Sequence, residues 1–272
     1  MFDAPCPTPD ALWQDPAFVA ALRLCGQKPI VLPSGLMLLR RRIMGVTWLM
    51  LPRAPPPPDL HRQLSQGGIQ RLPLILSPDA PCTMPRALRL QRGRQVARLN
   101  LDADAQTRRA ALHPKWRNQL RYAEKTPLQV QRRPLPPDPD HPVLRAEAQQ
   151  SKQRGYANWP IPLTAAFAKA APDQTHLFSA VLRGQAVAHM LFLTHASRAS
   201  YHIGHITTAG RAHCAHNLLL WQAGEYLAAQ GIIDMDLGVL HPRTAGLNRF
   251  KLRSGARACI TGGTWLRYWP FS

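Results

Sequence analysis

Nowhere does this 272-residue chain hold the ~18 uninterrupted apolar residues that a membrane helix requires. Its most apolar segment, 30–51, is cut by Arg40, Arg41 and Arg42. The first residues offer no basic region ahead of an apolar run. They carry Asp3, Pro5 and Pro7 instead, which does not read as a secretory leader. Paired cysteines are missing as well. Cys6, Cys25, Cys82, Cys214 and Cys259 are scattered, and no two form a CxxC. This argues against a disulfide framework or a zinc site and predicts a reducing, cytoplasmic setting. There is no GxSxG, so nothing calls for a serine triad. Asp234 and Asp236 alternate on one predicted strand and share a face, yet no His or Glu cluster accompanies them. No metal site is predicted, and pairing with arginine is the expectation for both.

Acidic residues are also in short supply, 15 against 34 Lys and Arg, which leaves a net charge of +19. A surface this basic attracts polyanions: RNA, anionic membrane headgroups or nucleotide-bearing substrates. Lysine, however, occurs only at positions 28, 115, 125, 152, 169 and 251, so the charge is almost all arginine. A GC-rich genome writes Arg, Ala and Pro throughout its proteins, and no RGG tract, zinc knuckle or basic tail focuses this charge. Both origins of the charge stay open.

What is present is an ordinary globular composition, 45% hydrophobic, in a chain long enough for one large domain or two small ones. Asp15 and Gly26 bracket a predicted helix over 16–25. Runs at 36–42 and 43–51 alternate as paired strands, 59–67 is a short helix, and 71–76 and 95–101 are further strands. A long helix is predicted from 104 to about 125, with Leu112, Trp116, Leu120 and Ala123 on its buried face. Arg117, Arg121 and Lys125 line another face, which would be a solvated stripe or a substrate-facing one. The Pro-rich segment 131–142 marks a boundary. Helices at 143–154 and 163–170 follow, then a hairpin of 176–183 and 186–195, and a strand at 200–204.

The remaining chemistry gathers between 201 and 265. A polar loop, 205–214, opens onto an apolar helix at 215–230, which Gly231 ends and a strand at 232–237 follows. Strand, loop, helix, strand places free helix amides and the positive dipole end beside strand ends, a site suited to phosphate. A short helix over 247–253 would then carry Lys251, the last lysine of the chain. The whole order predicts an α/β fold with a mixed sheet.

Four stretches resemble one family. They read LHPKWRNQLRYAEK (112–125), RGYANWP (154–160), GRAHCAHNLLLWQAGEYLAAQG (210–231) and DLGVLHPRTAGLNRFKLRSGA (236–256). Together they are similar to GNAT acyltransferases of the branch with two fused halves. That branch includes the Fem peptidoglycan aminoacyltransferases and the CelD-like acetyltransferases. The resemblance implies two GNAT-like halves with mixed β-sheets joined by a long central helix. Its bounds here would be 1–103, 104–126 and 127–272. Where an ordinary GNAT domain has R/QxxGxG/A, this chain reads RAHCAH from Arg211, with Cys214 and His216 at the places of small residues.

The resemblance implies an N-acyltransferase, with acyl-CoA as donor and a small-molecule, peptide or lipid amine as acceptor. Fem-type relatives imply the alternative donor, aminoacyl-tRNA. A non-catalytic RNA- or envelope-associated protein, in peripheral contact with an anionic membrane, is the reading from another class. Acyl transfer needs a base for the ammonium and a positive group for the oxyanion. His205 and His216 flank the loop and are candidates for the first task. Lys251, in the segment similar to the Fem FK element, is the candidate for the second. Arg211, Ala215 and Asn217 are candidate donor contacts at the helix start, while Arg117, Arg121, Tyr201 and Phe250 are candidate substrate contacts. His189 and His202 read as structural strand residues.

Overall fold

The computed structural model describes residues 11–267. In chain order its elements are α1 (Pro16–Leu24), β1 (Ile30–Val31), β2 (Met37–Ile43), β3 (Val46–Pro52), α2 (Leu60–Gln66), β4 (Leu74–Ser77), β5 (Leu88–Gln91) and β6 (Gln95–Asn100). Next come α3 (Ala105–Ala111), α4 (Pro114–Glu124), β7 (Gln129–Arg133), α5 (Pro142–Arg154), α6 (Ile161–Ala170), β8 (Thr175–Leu182), β9 (Gln185–His195) and β10 (Arg198–Ile206). The chain closes with α7 (Thr208–Ala212), α8 (Ala215–Ala229), β11 (Asp234–Val239), α9 (Ala245–Arg253), β12 (Arg257–Ile260) and β13 (Thr264–Arg267). Two compact units result, one of residues 11–95 and 260–267, the other of 96–259.

In the first unit a six-stranded sheet runs in the order β1-β2-β3-β4-β13-β5, parallel only between β3 and β4. Alternation along β2, β3 and β4 turns Leu38, Leu49, Leu51, Leu74 and Leu76 into one core, which α2 covers with Leu60 and Leu64. Asp15 caps α1 by accepting from the Ala17 amide at 2.8 Å, and Pro16 occupies the first turn, where a missing amide costs nothing.

In the second unit a seven-stranded sheet runs β12-β6-β11-β10-β9-β8-β7, antiparallel in β6–β11 and from β10 to β7, and parallel between β10 and β11. That parallel pair needs a crossover, and α7 and α8 supply it. The α8 face of Leu219, Leu220, Ala223 and Leu227 joins Trp116 and Leu120 of α4 and Met190 and Phe192 of β9 in one core.

The expected α/β class with two mixed sheets is what the chain forms, but three expectations about its joints are corrected. The single helix over 104–126 is two helices, because Leu112 turns extended and Pro114 brings no amide to continue the ladder. His113 restarts the helix by accepting from the Lys115 amide at 3.2 Å. Trp116 and Leu120 are buried as expected, but within the core of the second unit. The segment at 131–142 does not divide the molecule, since β7 pairs along β8 and the Leu135 amide donates to Thr175 Oγ1. Nor do the compact units follow the bounds 1–103, 104–126 and 127–272. Thr264–Arg267 returns to the first sheet as β13, between β4 and β5.

Candidate functional site

The strands β10 and β11 pair at only three positions, Arg198 with Asp234, Ala199 with Met235 and Ser200 with Asp236. Both continue past that point, β10 to Ile206 and β11 to Val239, without pairing to each other. A bulge between Tyr201 and Ile203 helps β10 turn away. The strands thus open toward their C-terminal ends, and the backbone groups along the opening find other partners. The His202 carbonyl accepts from Asn158 Nδ2 at 3.0 Å and the Gly204 carbonyl from Gln150 Nε2 at 3.0 Å. On the β11 side, Lys251 Nζ donates to the Val239 carbonyl at 3.1 Å.

The loop after β10 is held tightly. The Thr207 amide and hydroxyl both donate to the Val187 carbonyl of β9, and the same hydroxyl accepts from the Gly210 amide to cap α7. A side chain at Gly210 would collide with that carbonyl, so glycine is required there. Cys214 then sits in the left-handed region at φ 51°, which aims α8 away from α7. Its carbonyl takes the amides of Asn217 and Leu218 at 3.0 and 3.4 Å. Ala215 and His216 begin the helix ahead of them.

Three histidines lie along this opening. His216 Nε2 donates to the His205 carbonyl at 3.0 Å, and burial pushes its pKa down to about 4. It is therefore neutral and committed to the backbone. His189 bonds Ser179 Oγ at 2.8 Å and faces the ring of His205 at 6.5 Å. His205 itself is only half-buried; burial first and the Arg211 charge second lower its pKa. Of the three it is the one suited to take up a proton.

Lys251 is 5% exposed, and burial depresses its pKa to about 8, opposed by the carboxylate of Asp236. The short helix α9 thus carries an ammonium to the end of β11, beside Gly238, while the preceding residue, Phe250, packs between Trp116 and His216 at 6.1 and 6.2 Å. Asp234 and Asp236 pair with arginine as expected, at 2.9 and 3.8 Å from Arg98.

The other predicted site residues divide between contacts within the fold and exposed positions. Asn217 directs its side-chain amide at Gln119 of α4, at 3.4 Å. Arg117, expected to face a substrate, closes the end of α3 through the Ala110 and Leu112 carbonyls at 2.8 and 2.9 Å. Arg121 is exposed on α4. Tyr201 folds its hydroxyl against Gly204, where a Cβ would collide with it, and its ring rests on Phe192. Burial raises its pKa, so it stays protonated. Arg211 is exposed on α7, and Ala215 is fully buried.

One group escaped the sequence reading. Glu147 of α5 is 6% exposed and accepts from Tyr156 Oη and Asn158 Nδ2, both at 2.9 Å. Its only sequence signal is the RGYANWP stretch, in which Gly155 ends α5 in the left-handed region and sends Tyr156 and Asn158 back over the helix.

A parallel pair of strands that part beside a helix start is the geometry for which comparison with known proteins supplies a family. Residues 89–252 match the acetyltransferase (GNAT) domain family, and the chain belongs to it. Among solved structures it is similar to FemX, with a TM-score of 0.74 over 95% of this chain and 92% of that one at 11% identity. A domain described as the C-terminal part of a lysylphosphatidylglycerol synthetase from Agrobacterium fabrum gives 0.60 at 13% identity, over 93% and 88% of the two chains. L-PGS from Bacillus licheniformis gives 0.55 at 11% identity, over 96% and 92%. Comparison with curated proteins returns no match. At these identities the structural likeness establishes the fold, a two-half GNAT arrangement of the Fem-like kind.

Proposed function

We propose that this protein is an N-acyltransferase that moves an acyl group from an acyl thioester, acyl-CoA, to a small-molecule, peptide or lipid amine. The observation that carries this reading is the parting of β10 and β11 after three pairs, beside the start of α8. The parted strands leave room between their C-terminal ends for an extended, amide-bearing donor arm to lie along the opening. The helix start favours phosphates at the other end of such a donor.

The chain's own residues then divide the chemistry. The acceptor ammonium loses a proton, for which His205 is the base, neutral near pH 7. The freed amine attacks the thioester carbonyl. Lys251 supplies positive charge at the end of β11 as the oxyanion develops, and the thiolate leaves and is reprotonated. Arg211 steers the donor phosphates from the rim.

Aminoacyl-tRNA is the second donor reading. Cys214 and His216 crowd a loop where small residues let pyrophosphate approach, and a net charge of +19 suits RNA. Titration with acyl-CoA and separately with aminoacyl-tRNA, at near-physiological salt, tests both. Saturable acyl-CoA binding is expected, weakened about tenfold by Arg211→Ala with the fold unchanged. Saturation by aminoacyl-tRNA alone would exchange the donor. Saturation by neither would leave the non-catalytic reading. Salt must be held fixed, because a chain this basic holds RNA non-specifically at low ionic strength.

A further inference from the structure

Beside β10 lies a cavity of about 260 Å³ that none of the donor chemistry uses. Its walls are α5, the loop after it and the start of α6, with Ile203 of β10 as the floor and Ser151, Tyr156, Asn158 and Thr164 among the polar groups. Glu147 opens onto it. The volume suits an aminoalkyl chain or a small ring, near the lower end of small-molecule sites.

The environment of Glu147 is unlike that of the chain's other paired acids. In this arginine-rich protein, Asp59, Asp79, Glu124, Asp140, Glu225 and Asp234 each meet an arginine within 3 Å. Among the described residues, the hydrogen bonds to Glu147 come from neutral donors alone. Oε1 is occupied by the Tyr156 hydroxyl and the Asn158 amide. Among the described residues Oε2 has only Gln150 Nε2, at a long 3.5 Å. A buried carboxylate with no cation in contact is costly: burial raises this one's pKa, and the hydrogen bonds from Asn158 and Tyr156 and the more distant Arg154 charge offset only part of that rise. A carboxylate oxygen with spare acceptor capacity, facing a small cavity, is an incomplete ion pair.

The same side chains tie the cavity to the opening between the strands. Asn158 bridges Glu147 and the His202 carbonyl, and Gln150 bridges Tyr156 and the Gly204 carbonyl. Both carbonyls lie on β10 beyond its last pair with β11. A cation held at Glu147 would sit next to the strand that borders the donor opening.

We propose that this cavity is the acceptor site, and that Glu147 binds the ammonium group of a small primary amine through Oε2, with Tyr156 and Asn158 fixing the carboxylate. This rests on the acyltransferase reading for its purpose, though not for its test. Binding of 1-aminobutane, glycinamide, lysine and glucosamine is measured without any donor, by titration followed by NMR. Matched neutral alcohols serve as controls. At least one amine should saturate while its alcohol counterpart does not. Glu147→Gln, which keeps an acceptor for Tyr156 and Asn158, should weaken that amine at least about tenfold. Ser151→Leu fills the cavity with Glu147 intact and should abolish binding.

If none of the four amines saturates, the proposal is overturned. It is equally overturned if amine and alcohol bind alike, or if folded Glu147→Gln binds the amine as the native chain does. Should Glu147→Gln fail to fold, Ser151→Leu decides, since unaltered amine binding there places the ligand elsewhere. Donor titration stands apart. Acyl-CoA binding with no amine binding sinks this site alone, whereas amine binding with no donor binding sinks the acyltransferase reading alone.

Discussion

The two units bury polar side chains in different ways. In the first, the buried polar groups among the described residues are two glutamines, each committed to its neighbours. Gln14 donates to the Met37 and Pro52 carbonyls at 3.2 and 2.7 Å and accepts from the Met37 amide at 2.7 Å. Gln63 accepts from the Ser34 amide and donates to Asp59. The second unit buries ionisable side chains as well, Glu147, Lys251, His176 and His195, beside the neutral Thr164, Thr175, Asn217 and Ser254. Neutral amides that satisfy one another hold a fold together. Buried titratable groups cost more and are kept where charge or protons are handled. On the acyltransferase reading proposed above, the contrast assigns the chemistry to the second unit and leaves the first as a body built for packing.

The largest test of that contrast is on the core side of the second unit. Trp116→Ala should cost ~3–5 kcal/mol in chemical denaturation, as a fully buried aromatic truncation. Trp116→Phe should cost much less, because the indole N–H is buried without a partner and nothing is lost with it. A loss below about 1 kcal/mol for the alanine variant would mean that α4 does not organise this core.

Next comes the separation of activity from stability. Lys251→Met should lower kcat by ~10²–10³, the scale of a lost oxyanion donor. Its stability at pH 7 should change by about 1 kcal/mol or less, since Met keeps the apolar stem and removes a charge that is costly to bury. The pH dependence has a definite sign. The folded lysine titrates near 8 and the unfolded one near 10.5, so the unfolded state binds more protons between them. Native stability should therefore rise from pH 8 to 10.5, and Lys251→Met should lose that rise. Equal losses of rate and stability would make Lys251 a structural residue.

In the first unit the opposite outcome is expected. Gln14→Ala strands the Met37 amide and the Met37 and Pro52 carbonyls, and should cost ~1–3 kcal/mol. Turnover per folded molecule should not change. A tenfold drop in kcat would end the division of labour drawn between the units.

The smallest effect concerns acid. Burial lowers the pKa of His176, His189, His202 and His216 to about 4, while in the unfolded chain they titrate near 6.5. The unfolded state then takes up more protons in that window, and stability should fall as pH drops from 6.5 toward 4. His202→Phe should recover ~1–2 kcal/mol of the loss at pH 5 relative to pH 7. A thermal melting series across that range checks it. An unchanged slope would mean that His202, at the bulge of β10 and bonded to Thr164, is not the buried group it appears in the fold.

Much of the site was legible, but unevenly. The helix start at Ala215 and the strand that follows were visible because each has a local signature, apolar periodicity and a terminal glycine, whereas 205–214, read as a polar loop, holds the end of β10 and the short helix α7. Lys251 stood out as the last lysine beside Phe250. The arginines misled. Arg117 shares a stripe with Arg121 and Lys125 on paper, yet it turns back to cap α3, which exists as a separate helix only because Pro114 breaks the ladder. Glu147 carried no signal of its own, since a glutamate in the middle of a helix is unremarkable until its surroundings are known.

The sequence by itself determined most of the longer elements, the α/β class and the caps or turns at several helix ends. Asp15 before α1, Gly155 after α5 and Gly231 beyond α8 act through atoms a few residues away. Tertiary structure alone decided how strands distant in the chain pair. It inserts β13 between β4 and β5, sets β6 against β11, and stops the pairing of β10 and β11 after Ser200 and Asp236. It also decided which charges are buried, Lys251 at a strand end and Glu147 among neutral donors. The physical reason is the same for both. A strand's hydrogen-bond partner and a charge's solvent are supplied by residues tens to hundreds of positions away, and no local pattern names them.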